Sequence, residues 1–458
     1  MEAKIPRLIL AGTNSGCGKT TVTCALLQAL VNRGLAVGAF KCGPDYIDPM
    51  FHSTIIGAKS ANLDLHFFSE NTTRLLLAKN GCDRDVSIIE GVMGFYDGMT
   101  MTDAQGSTYA MAQCTDTPVV LVVNARGAAL SVLAVIQGFQ QLYPDNHIQG
   151  VILNHCTSMT YGPLAQAVES RLGIRTYGFL PYLPDCTLES RHLGLVTAAE
   201  VENLKDKLNR LADQAERCLD IEGLLDLSQQ APALSWEPMP VSREEPVRIG
   251  VARDRAFCFY YGDSLHLLEE MGAQLVPFSP LRDPELPENL HGLYLGGGYP
   301  ELYLEELSQN QSMLAAVAAA VNNGLPCIAE CGGFLYLNQA IGCKPMVGVL
   351  PGTCFDGGKL IRFGYVTLEA QKDNLLCQAG DTIAAHEFHH WDCTENGSDF
   401  RAIKPSGRSW PCVIATKTLY AGFPHLHFYA NPAFAKQFYA ACRKEKHRHD
   451  GNHQTHGY

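Results

Sequence analysis

The tightest constraint on this chain is a run near its start, Leu-Ile-Leu-Ala-Gly-Thr-Asn-Ser-Gly-Cys-Gly-Lys-Thr-Thr at 8–21. An apolar stretch ends in a glycine-rich turn, and a helical pattern opens at Lys19. Glycines let backbone N–H groups converge on phosphate oxygens, and a helix N-terminus adds partial positive charge. Lys19 would reach the β- and γ-phosphates, and Thr20 would offer its hydroxyl to Mg²⁺. Gly12, Thr13, Gly16, Cys17, Gly18, Lys19, Thr20 and Thr21 are therefore the candidate nucleotide-binding residues. One position departs from the usual spacing: Thr13 stands where the first glycine is expected, and Gly12 lies one residue earlier.

Such a loop needs a parallel strand before it, and the first half of the chain supplies several. Short apolar runs at 7–11, 36–41, 86–90, 118–124 and 150–154 alternate with helical patterns such as 20–33 and 128–142. That alternation is the signature of βαβ units and a sheet covered on both faces. Two acidic segments follow these strands. Lys-Cys-Gly-Pro-Asp-Tyr-Ile-Asp-Pro at 41–49 carries Asp45, Tyr46 and Asp48, and Ile-Ile-Glu-Gly-Val-Met-Gly-Phe-Tyr-Asp-Gly at 88–98 carries Glu90 and Asp97. Ligands bind outside the carboxyl ends of such strands, and phosphoryl transfer needs carboxylates to hold its metal. Thr20 and Glu90 are the expected Mg²⁺ ligands, with Asp45 serving metal or phosphate. Tyr46, Asp48 and Asp97 would face the substrate.

At 458 residues the chain is too long for one core. Charged helical residues at 198–229, among them Glu200, Glu202, Lys205, Asp206 and Lys207, precede a Pro-rich stretch at 231–246. We place a first domain at 1–230, a linker at 231–246 and a second domain at 247–442. Apolar runs at 247–252, 274–278, 292–295 and 326–330 give the second domain an α/β pattern as well. The polar tail at 443–458 holds His447, His449, His453 and His456 and is expected to be unstructured.

A formal net charge of −12 argues against sequence-independent nucleic-acid binding, which needs surplus Lys and Arg. Seventeen cysteines scattered through apolar runs, with no export signal, suggest a reduced cytoplasmic protein. No apolar run is long enough to span a bilayer, so no membrane partner is expected.

The second domain contains Leu-Pro-Cys-Ile-Ala-Glu-Cys-Gly-Gly-Phe-Leu at 325–335, an apolar strand ending at Cys331. A nucleophile on a tight strand-to-helix turn is exposed and activated. Backbone N–H groups of Gly297, Gly298 and Gly332 would stabilise an oxyanion. The base would be a distant histidine, and Phe-Pro-His-Leu-His-Phe at 423–428 offers His425 and His427.

Together these motifs resemble the cobyrinate a,c-diamide synthases of cobalamin biosynthesis. The resemblance rests on the segments at 12–20, 43–49, 90–98 and 330–333, on Glu-Ser-Arg-His-Leu-Gly-Leu at 189–195 and Gly-Gly-Gly-Tyr-Pro-Glu at 296–301, and on His-Glu-Phe-His at 386–389 and His-Leu-His-Phe at 425–428. It spans about residues 5–440 and implies a dethiobiotin-synthetase-like ATP domain followed by a flavodoxin-like class I glutamine amidotransferase domain. The resemblance further implies ATP, Mg²⁺ and glutamine as reactants and a tetrapyrrole whose a and c acetates become acetamides. The alternatives are the same chemistry on nickel-sirohydrochlorin or hydrogenobyrinate, a cobyric acid synthase, or a partitioning-type ATPase with a degenerate amidotransferase. By the same resemblance Cys331 and His425 are the thiol nucleophile and its base, and Asn154 contacts adenine. His427 stands where the family places a glutamate, which makes it the candidate third member of a triad. Oligomeric state stays open, a homodimer being one option.

Overall fold

The structure, a computed structural model, describes residues 1–186 and 198–455. The 189–195 motif therefore lies outside the described residues, as do His456 and the side chains of Glu200, His449 and His453. The chain divides into two compact units, Met1–Met239 and Pro240–Tyr458.

The first unit is built on a seven-stranded sheet in the order Lys59–Leu63, Val37–Cys42, Val86–Glu90, Arg7–Gly12, Val119–Asn124, Ile148–Asn154 and Arg175–Leu180. Every pairing in it is parallel. Strands buried on both faces read as continuous apolar runs, and Arg7–Gly12 is buried along its whole length. The order places this strand at the centre, with the loop after it opening onto the carboxyl edge beside Glu90. Lys59–Leu63 and Arg175–Leu180 were not expected from the sequence; both edge strands carry polar or glycine residues that break the apolar run. The helical stretch expected at 198–229 is two helices, Ala198–Cys218 and Ile221–Gln229, because Asp220 caps the second through Gly223 N at 3.0 Å. Within the expected linker, Leu234–Ser235 pairs with Glu2–Ala3.

In the second unit a six-stranded sheet runs Ala273–Phe278, Val247–Ala252, Gly292–Leu295, Cys327–Glu330, Leu419–Gly422 and Ile414–Ala415, parallel except for the last pair. A five-stranded antiparallel sheet contains Arg362–Ala370 and Thr382–His389 and ends on the two-residue strand His425–Leu426. Two expectations are corrected here. Cys354 and Cys393 form a disulfide, because their antiparallel strands set them directly opposite each other, with Cα atoms 4.1 Å apart. The tail also departs from expectation, since the helix Pro432–Thr455 continues through it. Lys446 and Arg448 anchor that helix on the carbonyls of Pro246 and Asn323. Among the described residues, no helix is long and apolar enough to cross a membrane.

Candidate active sites

Tight backbone geometry shapes the phosphate loop. A Cβ on Gly12 would lie 2.6 Å from Cys17 Sγ, and one on Gly18 would lie 1.9 Å from Asn154 Nδ2. Gly18 also has φ +88°, a region that glycine occupies at low cost. The helix Lys19–Asn32 begins there with no side-chain cap, so the N–H groups of its first turn are left for an anion. Lys19 Nζ donates to the Met93 carbonyl at 3.2 Å, and Met93 adopts φ +45°. Thr20 Oγ1 donates to Glu90 Oε1 at 2.7 Å. Thr13 turns away, donating to Asn14 Oδ1, and Thr21 is half-buried. Asn154 is fully buried, and its amide donates to the Cys17 carbonyl at 2.8 Å, bracing the loop from below.

Beside the loop lies a buried charge cluster centred on a residue that the sequence reading passed over. Lys41 and Glu90 are register partners on adjacent parallel strands. Lys41 Nζ sits 2.5 Å from Asp48 Oδ2 and 2.9 Å from Glu90 Oε1. Burial opposes its charge, but Glu90, Asp48 and Asp45 outweigh burial and hold its pKa well above the ordinary lysine value. Burial and the Asp48 charge push Asp45 up to about 6, whereas Lys41 overcomes burial to keep Asp48 low. Asn62 donates to the carbonyls of Gly43 and Asp45 and so fixes this loop. His52 lies 3.9 Å from Glu90 Oε2, and burial keeps it neutral. Lys19 differs from Lys41: burial is the largest influence on it and lowers its pKa despite Glu90. Asp45, Tyr46, Asp48, Glu90 and Thr20 thus share one region. Asp97 is exposed and accepts from Gly94 N at 2.8 Å, so it caps its own turn.

Mg²⁺ in a phosphate-loop site draws much of its shell from phosphate and water, so few protein ligands are needed. The Thr20 hydroxyl against the buried Glu90 carboxylate fits that demand. Among the described residues, no group of three or more His, Cys, Asp or Glu side chains is arranged to hold a metal on its own.

The thiol site is built at the end of the strand Cys327–Glu330. Cys331 has φ +47° and ψ −100°, a strained turn residue ahead of the helix Gly332–Leu337, and its N–H donates to Gly422 O at 2.8 Å. Strain of this kind persists where surrounding structure enforces it, typically at functional sites. A Cβ on Gly297 would lie 2.5 Å from His425 Cε1. The Gly297 carbonyl accepts from Cys258 N and Phe259 N. In a planar trans peptide the next N–H points the opposite way, so Gly298 N–H faces away from Cys258 and Phe259; a Cβ on Gly332 would lie 3.0 Å from Gly298 N.

His425 is almost fully buried, with Glu330 Oε2 3.7 Å from its Nδ1. Glu330 is itself fixed, because its Oε1 receives Tyr294 Oη at 3.1 Å and Leu426 N at 3.3 Å. Burial works against the imidazolium, but Cys331 and Glu330 outweigh it and raise His425 to about 10. His427 does not fill the acidic place beside His425. The strand that carries His425 is only two residues long, and His427 already caps the next turn, its Nδ1 accepting from Tyr429 N at 3.3 Å. Its ring lies 4.6 Å from that of Tyr261, and burial lowers its pKa to about 3.

Comparison with known proteins agrees with this layout. Residues 8–196 match the CobQ/CobB/MinD/ParA nucleotide binding domain, and residues 248–433 match the CobB/CobQ-like glutamine amidotransferase domain. A cobyrinate a,c-diamide synthase from Caldanaerobacter subterraneus subsp. tengcongensis is 41% identical over 443 residues, covering 95% of this chain and 98% of its own. The chain belongs to the cobyrinate a,c-diamide synthase family. Members from Listeria innocua and Thermoplasma volcanium are each 38% identical, over 96% of this chain and 100% and 98% of theirs. Within this family member, sequence reasoning missed Lys41, His52, Met93 and Glu330. Lys41 carried one usable signal, a lysine near the end of an otherwise apolar strand. Glu330 carried another, an acid at the end of a buried strand directly before the thiol.

Proposed function

We propose that this chain uses ATP and glutamine to convert the a and c acetate carboxylates of a cobyrinate-type corrinoid into amides. The observation that carries the reading is one chain holding both a buried lysine–carboxylate phosphate site and a thiol–imidazole–carboxylate site. The names of the near-full-length relatives supply the substrate class.

A carboxylate is a poor acyl donor because oxide is a poor leaving group. Transfer of the γ-phosphoryl group to the carboxylate oxygen gives an acyl phosphate and ADP. Lys19 and Lys41 would stabilise the transferring charge, and Asp48 and Glu90 hold Lys41 in its charged form. Thr20 and Glu90 would hold Mg²⁺, which supplies charge neutralisation at the phosphates when bound. In the other unit, the Cys331 thiolate attacks the glutamine amide carbon, and Gly298 N–H faces the developing oxyanion. His425 gives a proton to the departing ammonia, and water then cleaves the thioester to glutamate with His425 as base. Ammonia attack on the acyl phosphate yields the amide and inorganic phosphate.

Glu330 would orient His425 and stabilise its charge. Glu330→Gln is expected to lower glutaminase kcat/KM about 10²–10³-fold. Since Glu330 helps raise His425, the alkaline limb of the pH profile should also move to lower pH. A fall in rate with an unmoved alkaline limb would assign Glu330 a packing role only.

The overall reading is tested by incubating the protein with ATP, Mg²⁺ and amide-¹⁵N glutamine against cobyrinate, nickel-sirohydrochlorin and hydrogenobyrinate. Mass spectrometry should show stepwise labelled amides on cobyrinate. Amidation of another tetrapyrrole alone would move the substrate assignment, and no ATP-dependent amidation of any would sink it.

A further inference from the structure

The second unit holds a covalent bond that no step of the proposed chemistry uses. Of the chain's seventeen cysteines fifteen are free, and Cys354–Cys393 is the single disulfide among the described residues. Scaffolds that depend on disulfides for stability pair most of their cysteines, whereas a lone bond in a thiol-rich chain is the pattern of a redox-sensing pair. Its place in the fold shows what would move if it broke.

Two chain paths leave the thiol site and meet at this bond. On one side, the helix Gly332–Leu337, which begins directly after Cys331, leads into the strand Ala340–Ile341. That strand pairs in parallel with Thr353–Asp356, with Ile341 opposite Cys354. Gly342 N donates to the Cys354 carbonyl at 2.7 Å, and Leu350 N donates to the Leu337 carbonyl at 3.0 Å, so Cys354 is tied to the nucleophile's helix on both flanks. On the other side, Cys393 ends the strand Trp391–Cys393, which follows Thr382–His389 across His390. The longer of these strands pairs with His425–Leu426. His389 Nδ1 donates to the Trp391 carbonyl at 2.6 Å, and its ring lies flat on Phe423, with centroids 3.8 Å apart. The disulfide thus closes a ring that includes the helix of Cys331 and the strand beside His425. Cys331, Phe334, Ile341, Cys354, Cys393 and Phe423 share one buried cluster. Packed side chains of this kind transmit a shift instead of absorbing it.

Without the bond, little holds this corner together. The two facing strands are four and three residues long, and pairings that short are marginal by themselves. Flanking support is sparse: Thr394 N donates to the Thr353 carbonyl, Gly357 N to the His390 carbonyl and Thr353 N to Thr394 Oγ1, each at 3.0 Å. Phe355 and Asp356, directly after Cys354, are exposed, so a local opening of this edge brings a small dithiol to an otherwise buried bond.

We propose that Cys354–Cys393 is a redox-sensitive brace of the thiol site: glutamine hydrolysis is fast with the bond formed and slow with it reduced. The exchange balances with a dithiol as reductant. One of its thiolates attacks a bridge sulfur, and the second displaces the mixed disulfide, leaving two cysteine thiols and one cyclic disulfide. An external disulfide reverses the exchange by the same route. The inference rests on Cys331 being a glutaminase nucleophile.

The test follows glutamine hydrolysis in protein poised with mixtures of oxidised and reduced dithiothreitol, with the state of the pair read by thiol alkylation and mass spectrometry. A displacement of about 1 Å between reacting groups costs on the order of 10²-fold. Reduction should therefore lower kcat about 10–100-fold with KM for glutamine changed less than about 3-fold, and re-oxidation should restore the rate. Cys354→Ala combined with Cys393→Ala should hold the low rate at every poise, while ATP-driven amidation from ammonium chloride is retained. Oxidation of the Cys331 thiol itself would have the opposite sign, with hydrolysis rising on reduction. A rate that rises on reduction, a rate unchanged when the pair is shown reduced, or a pair that stays bonded in excess dithiothreitol would each overturn the proposal. A double variant as fast as the oxidised protein would overturn it too. Should the double variant fail to fold, the reversible cycle in the unaltered protein decides alone. Absence of glutaminase activity in both redox states would instead refute the underlying reading of Cys331.

Discussion

Replacing Cys331 with serine is expected to lower glutamine hydrolysis by about 10⁴-fold or more, because a nucleophile and its base act as one unit. ATP-driven amidation should continue when ammonium salts are supplied at mildly alkaline pH. The expectation follows from where the strain is placed. Cys331 holds φ +47° at the junction of a strand and a short helix, with its N–H tied to Gly422 and Gly298 N close to the next residue, Gly332. Serine can adopt the same turn, so the backbone and the oxyanion donor stay in place while the nucleophile is lost. The measurement pairs a glutamate-release assay with amide formation from ammonium chloride. If the variant lost both activities, Cys331 would also have to support the ATP-dependent half-reaction. If it kept hydrolysing glutamine, another thiol would be the nucleophile, and Cys327, fully buried at the other end of the strand, offers no access.

How much of this was legible in the sequence follows from which forces leave a linear trace. Strands buried on both faces appear as apolar runs, so Val86–Glu90, Val247–Ala252 and Gly292–Leu295 are found at their expected bounds. The antiparallel sheet was not, because Arg362–Ala370 is half-solvated and interleaves glycine, aromatic and charged residues. Lys19, Thr20 and Cys331 sit in local motifs whose backbone geometry is encoded within a few residues. Glu330 and His425 meet only because the strands Cys327–Glu330 and Leu419–Gly422 pair in parallel and the chain then turns into His425–Leu426. His427 was the natural candidate by spacing alone. The capping turn at Phe428–Ala430 removes it, and spacing cannot register that turn. The disulfide has the same origin: Cys354 and Cys393 are 39 residues apart, and only strand register brings them together.

The second large effect is expected in the phosphate site, where two lysines should fail in different ways. Lys19→Ala should lower ATP-dependent amidation about 10³-fold, since a preorganised cation at the transferring phosphate is lost. Stability should barely change, because Lys19 Nζ is held by the Met93 carbonyl and its charge is disfavoured by burial. Lys41→Met should also suppress amidation, but it strips the partner from Asp48 and Glu90, both buried. Breaking a buried pair from one side costs about 3–5 kcal/mol. Urea unfolding should therefore separate the two variants even where their activities coincide. Lys41→Met combined with Asp48→Asn should recover part of the stability, because one uncompensated charge goes, while amidation stays low. A single Lys41→Met variant as stable as the unaltered protein would mean that Asp48 and Glu90 take up protons or water instead. The lysine would then be a phosphate ligand without a structural share. Glutaminase activity without substrate or ATP is the control for both, because neither lysine lies in the unit that carries Cys331.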